Sequence, residues 1–354
     1  MTLVRSPRPD TVAVGLLTTR LAMSRSSQLR PLGPTAWATL KTRLAAAGQS
    51  PAGLIGLDAG HIASLLDLGQ DRSVDLAALL ARAGQMSLEL ERLQARGIWL
   101  VSREDAEYPG SLTRRLGDQA PPVLFGAGDP SILARKGVGI VGSRDADAVS
   151  LDFTQRLAAW VVEGGLSVVS GAARGVDSMA MNAAFDAGGT VVGVVADSLE
   201  ERIRDAETRR AVADGQAVLL SSYGPSTPFS VGAAMGRNKL IYCLADAVVV
   251  VAATEGSGGT WAGAEEALRA SWVPVLVRGK DFPSPADRAL VYMGASQIND
   301  NDLDAATASE YLKQLYVAFE PLRPRRVSEE PVQYPMFGLP VSLPPKKSSR
   351  KTPR

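Results

Sequence analysis

The sequence predicts an α/β fold with a doubly wound, mainly parallel sheet, preceded by a small helical domain. Between residues 137 and 279, short runs rich in β-branched residues alternate with helical segments. These runs are almost continuously apolar, as expected for strands that are buried on both faces. Upstream of them, leucines recur at helical spacing.

The chain has 354 residues, of which 45% are hydrophobic and 21% are charged, so we expect a folded protein with more than one ordered unit. Both ends contain Pro, Ser and Arg without sustained periodicity. We therefore predict a mobile tail at 1–34, a helical domain at 35–96, a Rossmann-like domain at 97–320, and a disordered, Pro-rich basic tail at 321–354.

Three groups of residues at i, i+3, i+4 or similar spacing predict the helical domain. They are Trp37, Leu40 and Leu44, then Leu76, Leu79 and Leu80, then Leu88, Leu90 and Leu93. Six runs are the strand candidates of the sheet. They are Val138–Val141, Leu166–Val169, Thr190–Val195, Ala217–Leu220, Ala247–Val251 and Val273–Val277.

Composition excludes several classes of protein. Cys243 is the only cysteine and His61 the only histidine, so the chain can form neither a disulfide framework, nor a cysteine zinc site, nor a multi-histidine metal site. We expect Cys243 to be buried and His61 to cap a helix or lie at the surface. We predict neither a metal nor a cofactor.

The sequence predicts a cytoplasmic protein without a membrane span, because no apolar run reaches ~18 residues. Charge is distributed unevenly: +4 over residues 1–35, −9 over 36–320 and +6 over 321–354. A nucleic-acid binder normally has a basic docking face. Net charge therefore gives no support to such a function, and any basic patch must be local.

Four turns rich in small or polar residues are candidate ligand loops, because ligands of open α/β sheets bind at the carboxyl ends of the strands. The first is Gly142-Ser143-Arg144, where a glycine lets the backbone approach an anion and an arginine offers a forked donor. The second is Ser170 to Asp177, which also joins a strand to a helix. Asp177 either belongs to this site or caps the helix.

The third candidate is Arg237-Asn238-Lys239, after Gly236 and before an apolar segment. If that segment is a helix, cations at its N-terminus oppose the helix dipole, and this local cost favours a function. The fourth is Glu255 to Thr260, in which consecutive glycine amides can face one anion. Neither the Walker lysine motif nor a G-x-G-x-x-G turn after the first strand is present.

Taken in order, these segments resemble the DNA-processing protein A (DprA/Smf) family. That family has a Gly-Ser/Thr-Arg turn, a Ser-Gly-x-Ala-Arg-Gly-Ile/Val-Asp turn, an Arg-Asn-Arg segment and a Ser-Gly-Ser/Gly loop. Tyr108-Pro109-Gly110-Ser111-Leu112 and Pro121 to Phe125 extend the similarity upstream, so that it covers about residues 97–280.

The resemblance implies a cytoplasmic protein that binds single-stranded DNA, often as a homodimer. It also implies that the protein assists a RecA-type recombinase in transformation and recombination without catalysing a reaction on the DNA. By position, Arg144, Arg174, Arg237 and Lys239 would hold phosphates. The other expected DNA- or phosphate-binding residues are Gly142, Ser143, Ser170, Gly171, Gly175, Asp177, Asn238, Ser257, Gly258, Gly259 and Thr260.

Two alternatives remain open. Gly258-Gly259-Thr260 followed by Glu265-Glu266 is similar to the loop of the lysine-decarboxylase-like phosphoribohydrolases, which share this general fold. In that case the pocket would sense or cleave a nucleotide derivative, and Glu265 or Glu266 would stabilise charge at the ribose. The third interpretation is an interaction protein whose basic tails carry the function.

Overall fold

The computed structural model describes residues 6–24, 26–281 and 283–319. Within these ranges the chain forms fifteen α-helices and nine strands. The helices are α1 (Pro9–Thr18), α2 (Pro34–Ala46), α3 (Ala59–Leu66), α4 (Gln70–Leu80), α5 (Ala83–Gln94), α6 (Gly110–Leu116), α7 (Ala148–Glu163), α8 (Val176–Asp186), α9 (Leu199–Arg202), α10 (Ala206–Ala213), α11 (Val231–Leu244), α12 (Gly258–Ala270), α13 (Pro285–Tyr292), α14 (Asp300–Ala305) and α15 (Ala308–Ala318). The strands are β1 (Ile98–Ser102), β2 (Val123–Gly128), β3 (Gly137–Gly142), β4 (Ser167–Ser170), β5 (Val191–Val194), β6 (Ala217–Ser221), β7 (Ala247–Ala252), β8 (Val275–Arg278) and β9 (Ser296–Ile298).

All nine strands belong to one sheet with the order β1-β2-β6-β5-β4-β3-β7-β8-β9. The strands from β6 to β9 in this order pair in parallel, whereas β1 and β2 are antiparallel additions at one edge. Because β3 pairs with β4 on one side and with β7 on the other, the winding direction of the chain reverses at β3. Ligand crevices form at the carboxyl ends of strands at such a switch point.

Helices cover both faces of the sheet, which confirms the predicted doubly wound α/β class. On one face, Leu240 of α11, Ala264 of α12 and Leu290 of α13 pack against inward-facing strand residues such as Val250. On the other face, Phe153 and Leu157 of α7 join Ala180 of α8 in a second core. The interior strands are therefore buried on both sides, which explains their continuous apolar runs.

All six predicted strands are present, with ends that differ by at most two residues. Strands β1, β2 and β9 are not among the predicted strands; β1 and β9 are the two edge strands, and β2 lies next to β1. Of the three residues of β9, only Ile298 is buried, so this strand has no apolar run to reveal it. Strand β1 is fully buried but follows helix α5 after three residues. The short interval hides the change from the helical to the strand periodicity of apolar residues.

The three helices predicted within residues 35–96 are present as α2, α4 and α5, and their buried leucines agree with the predicted spacing, except that Leu88 is 69% exposed. Helix α3 is not among the predicted helices. Their core is continuous with one edge of the sheet, because Trp37 and Leu79 belong to the same buried cluster as Phe125 and Leu219. The helical region is thus packed on the sheet through a shared core.

The expectation of a mobile tail at 1–34 is wrong for residues 9–18. They form α1, in which Ala13, Val14, Leu16 and Leu17 are fully buried. This helix is apolar on nearly every side because it lies between the helical region and the sheet, so it lacks the amphipathic period that marks a surface helix. The basic tail predicted at 321–354 lies outside the described residues.

The two residues singled out by composition lie where the sequence predicts them. Cys243 is buried in α11, and burial raises the pKa of its thiol to about 12. His61 lies in the first turn of α3, where its side chain is 73% exposed and contacts the capping residue Asp58. In the described ranges, no helix combines the length and apolar character that crossing a bilayer requires.

An ion-pair cluster joins the helical region to the sheet. Glu200 at the start of α9 accepts hydrogen bonds from Arg92 of α5 and from Arg96, which follows α5, and Arg92 also pairs with Glu89 at 2.5 Å. The Glu200 side chain is only 9% exposed. The hydrogen bond from Arg92 and the positive charges of both arginines hold the pKa of Glu200 below its ordinary value.

We expect Glu200→Gln to lower the free energy of unfolding by about 1–3 kcal/mol at neutral pH, since two arginines lose a shared carboxylate. Because the folded-state pKa of Glu200 is lowered, its stabilisation is present above the ordinary pKa and disappears as the pH falls through the folded-state value. Chemical denaturation of both proteins across this range measures the difference, with the exposed Glu201→Gln as the control. An equal deficit at acidic and neutral pH would contradict this assignment.

Candidate nucleic-acid interface

A cavity lies at the carboxyl ends of β3 and β7, at the switch point of the sheet. It has a volume of about 430 Å³ and is here called the primary cavity. Its walls are the turns after β3 and β4, helix α11 and the loop that leads into α12. All four predicted ligand turns therefore converge on this region.

Most of the predicted residues contact a cavity. Ten of them line the primary cavity: Gly142, Ser143, Arg144, Asp177, Arg237, Asn238, Ser257, Gly258, Gly259 and Thr260. Gly171 and Arg174 line an adjoining cavity of about 250 Å³, together with Arg144 and Arg237. Ser170, Gly175 and Lys239 line neither cavity.

Two arginines at this site have guanidinium groups that are free to bind an anion. Arg144 and Arg174 are exposed, and neither forms an ion pair with any residue in the described part of the chain. Arg144 lies over the ring of Phe229, with its Cζ atom 5.6 Å from the ring centroid. This cation–π contact orients the guanidinium at the cavity wall and leaves its N–H groups unused.

The N-terminus of α12 forms another part of the cavity wall. Ser257 is the N-cap residue but its side chain caps nothing, and the helix begins at Gly258. The first amides of a helix have no carbonyl acceptor within that helix and carry its positive dipole end. Thr260 Oγ1 donates to the carbonyl oxygen of Gly142 at 3.1 Å, which ties this helix to the end of β3. The glycine loop thus presents free donors next to Arg144, as anion binding requires.

A buried ion pair forms the floor between the two cavities. Arg237 Nη1 donates to Asp177 Oδ2 at 3.4 Å, and both residues are at least nine-tenths buried. Burial raises the pKa of Asp177, while the charge of Arg237 and the backbone N–H groups of Ala173 and Gly142 oppose this shift. Asp177 is therefore a cross-link between α8, α11 and two strand ends. It does not cap α8, whose N-cap residue is Gly175 and has no side-chain cap.

The expectation that Arg237 and its neighbours lie at a helix N-terminus is wrong. Helix α11 begins at Val231, because Ser230 accepts a hydrogen bond from Ala233 N at 3.0 Å and caps it two turns earlier. Arg237, Asn238 and Lys239 therefore lie in the middle of the helix. The argument from the helix dipole does not apply to them.

Lys239 does not contact either cavity. Its Nζ pairs with Glu266 Oε1 at 2.7 Å and lies 5.6 Å from the ring centroid of Trp272. Residues two apart on a helix point in nearly opposite directions, so Lys239 cannot share the direction of Arg237. Lys239 therefore lies outside the two cavities that the other predicted cations line.

Ser170 and Gly175 shape the site from below. Ser170 is fully buried and its Oγ donates to the carbonyl oxygen of Ile140 at 2.7 Å. Gly175 has a positive φ of 77°, and a Cβ atom there would overlap the carbonyl groups of Ser143 and Arg144. Gly175 lets the first two turns contact each other, and Ser170 supports them from within the core.

Gly171 allows the buried ion pair to form. A Cβ atom at this position would overlap the guanidinium of Arg237 and approach Asp177 Oδ2. We expect Gly171→Ala to lower the free energy of unfolding by about 2–4 kcal/mol, because the pair must separate or the turn must move. Thermal and denaturant unfolding check this, with Gly232→Ala in α11, where a Cβ meets nothing within 4 Å, as the control. Equal stability of the two variants would contradict it.

The primary cavity also has an apolar wall that is not among the predicted site residues. Phe229, Val231 and Met235 line it and are 50%, 71% and 43% exposed. Phe229 ends the turn Gly224-Pro225-Ser226-Thr227-Pro228, which follows β6. A large aromatic residue that ends a proline-rich turn after a predicted strand is the signal that would have identified it.

Glu265 and Glu266, on which the phosphoribohydrolase alternative depends, do not line the primary cavity. Glu265 pairs with Arg269 at 2.6 Å, and Glu266 pairs with Lys239. Both carboxylates are thus held in ion pairs on α12. The geometry provides neither of them to stabilise charge on a ligand in the cavity.

Comparison with known proteins gives the family. Residues 99–302, more than half of the chain, match the family described as DNA recombination-mediator protein A. DNA processing protein DprA of Bacillus subtilis is 32% identical over 193 residues, which are 52% of this chain and 64% of that protein. The chain thus spans less than two thirds of the length of this relative.

A solved structure supports the fold. The DNA processing protein A of Streptococcus pneumoniae superposes with a TM-score of 0.53 and 22% identity, over 78% of this chain and 98% of that structure. DNA processing protein A of Helicobacter pylori, whose structure was described for its single-stranded DNA binding mode, has a TM-score of 0.49 and 21% identity, over 62% and 97% of the two chains. On its sequence match, the chain belongs to the DNA recombination-mediator protein A family.

Proposed function

We propose that the chain binds single-stranded DNA in the primary cavity. The observation that carries this proposal is Arg144, which has no ion pair within the described residues, lies over Phe229 and lines the same cavity as the first residues of α12. Arginine and helix N-terminal amides are both suited to a phosphodiester group. One DNA phosphate would then lie between Arg144 and Gly258.

The apolar wall supports a nucleic acid over a free phosphate. Phe229, Val231 and Met235 expose apolar surface beside the cations, and exposed bases stack on aromatic rings. The aromatic ring and the anion site lie in one cavity, as a nucleotide with a base and a phosphate requires. Arg144 belongs to the anion site and also lies over the Phe229 ring, so this one side chain connects the two.

The size and charge of the surroundings favour a single strand over a duplex. A cavity of about 430 Å³ accommodates a nucleotide, whereas stacked and paired bases of a duplex cannot reach its aromatic wall. Residues 36–320 carry a net charge of −9, which repels the two phosphate backbones of a duplex. Binding must therefore depend on the local basic site.

We propose further that the protein assists a RecA-type recombinase on the bound strand, in DNA uptake and recombination, and that it works in the cytoplasm as a homodimer. Family membership supports a role in recombination. This role needs no catalytic group, metal or cofactor, only affinity for the strand. Nucleation of recombinase filaments on single-stranded DNA, with and without this protein, tests the assistance.

The experiment that tests single-strand binding is fluorescence anisotropy with a labelled oligonucleotide at several salt concentrations. Unlabelled duplex and nucleoside monophosphates serve as competitors. We expect the labelled single strand to bind in a salt-sensitive way. Unlabelled single strand should displace it far better than unlabelled duplex does. Binding of a monophosphate without binding of the oligonucleotide would overturn the proposal in favour of a nucleotide-derivative sensor.

A further inference from the structure

A secondary cavity, the one of about 250 Å³ mentioned above, lies at the carboxyl ends of β4 and β5. Two residues found only in this cavity, Asp197 and Arg202, follow β5 and belong to none of the four predicted turns. Four residues line both cavities: Arg144, Ala173, Phe229 and Arg237. Because of this shared wall, the two cavities are sections of one groove across the end of the sheet.

The secondary cavity carries the larger excess of positive charge. Its lining contains four arginines and one carboxylate, that of Asp197, whereas the primary cavity has two arginines and two aspartates. The charge of Arg237 is compensated by Asp177, so Arg144, Arg174 and Arg202 face Asp197 alone. In an otherwise acidic domain, such a local excess attracts an anion.

Arg202 is held in a fixed orientation at the wall of the secondary cavity. Its Nε lies 3.0 and 3.1 Å from the two carboxylate oxygens of Asp197, and its Nη2 lies 2.7 Å from Oδ2. Nη1 donates to no atom in the described part of the chain, and the side chain is 41% exposed. A guanidinium that is fixed on one edge keeps donors on the other for a phosphate.

We propose that Arg202, together with Arg174, holds a second phosphodiester group of the same DNA strand. This inference rests on the proposed function. The first phosphate lies between Arg144 and the start of α12, and Phe229, which lines both cavities, separates the two phosphate positions. The strand then runs along the carboxyl ends from β7 towards β5. A charged groove with an aromatic side chain between phosphate positions is typical of single-strand binding.

Two variants with opposite expected effects test this subsite. Arg202→Gln removes the donor and should weaken binding of a single-stranded oligonucleotide about fivefold to tenfold. Asp197→Asn keeps one oxygen that can accept from Arg202 but removes the negative charge, and it should strengthen binding about threefold, because a carboxylate beside a phosphate repels it. Arg209→Gln, an exposed arginine on α10 outside both cavities, is the matched control for loss of one charge.

Anisotropy is measured for all four proteins with an oligonucleotide and with a 5′-phosphorylated mononucleotide that fills only one position. We expect Arg202→Gln to lower oligonucleotide affinity relative to Arg209→Gln while mononucleotide affinity stays the same. If Arg202→Gln and Arg209→Gln bind the oligonucleotide equally well, or if Asp197→Asn weakens binding, the second subsite is wrong. If the unmodified protein binds no single strand at all, the proposed function itself fails.

Discussion

Arg237→Met is expected to lower the free energy of unfolding by about 3–5 kcal/mol at neutral pH, because it leaves the carboxylate of Asp177 buried without its cation. Methionine retains most of the apolar part of the arginine side chain, so the lost stability reflects the missing positive charge more than a change in side-chain volume. Arg237 and Asp177 are 5% and 6% exposed, and water cannot replace the missing partner. Chemical denaturation monitored by circular dichroism measures the change.

The free energy of unfolding that Arg237→Met loses should be larger at neutral pH than at acidic pH. Burial already raises the pKa of Asp177, and removing Arg237 removes the charge that opposes the shift. A carboxyl whose folded-state pKa is raised is most favourable below its ordinary pKa and loses stability as the pH rises through the folded-state value. The deficit should therefore shrink towards acidic pH.

The double variant Arg237→Met/Asp177→Asn is the matched control, since it removes both charges. We expect it to recover at least half of the lost free energy at neutral pH, because no isolated charge remains buried. If Arg237→Met is as stable as the unmodified protein, or if it loses the same free energy of unfolding at every pH, the Arg237–Asp177 ion pair does not stabilise the site.

Arg144→Ala is expected to weaken binding of single-stranded oligonucleotides at least about tenfold. The substitution removes both the phosphate donor and the cation above Phe229. It should also make the dependence of log K on log salt shallower by about 0.7, the contribution of one phosphate contact on a single strand. Anisotropy at several salt concentrations gives both values.

This substitution should leave stability nearly unchanged, because Arg144 is exposed and has no ion pair within the described residues. Arg209→Ala provides the comparison for loss of one exposed arginine. If the two variants bind alike, or if Arg144→Ala weakens binding without changing the salt dependence, Arg144 does not contact a phosphate.

The interior of the fold was predictable from sequence because burial on both faces forces continuous apolar runs, as in Ala247 to Val251, which form most of the interior strand β7. The same reasoning failed for α1, since a helix enclosed by its neighbours has no polar stripe to reveal it. It also failed for β9, whose three residues include a single buried side chain. Edge and enclosed elements owe their structure to contacts distant in sequence.

The location of the site was predictable, but the direction of its side chains was not. Small residues that follow strands locate turns at one end of a parallel sheet, and this identifies Gly142, Ser143 and the loop before α12. Whether a cation within a helix faces the cavity depends on where the helix begins. Arg237 and Lys239 differ in this respect because Ser230 starts α11 earlier than the apolar segment indicates.

Photocrosslinking of a single-stranded oligonucleotide that carries bromodeoxyuridine, followed by mass mapping of the crosslinked peptides, tests the central claim most directly. The account predicts crosslinks in the segment 224–238, which contains Phe229 and Met235, and their loss in Arg144→Ala. Crosslinks confined to the basic segments 1–34 and 321–354 would contradict it and would place DNA binding outside the primary cavity.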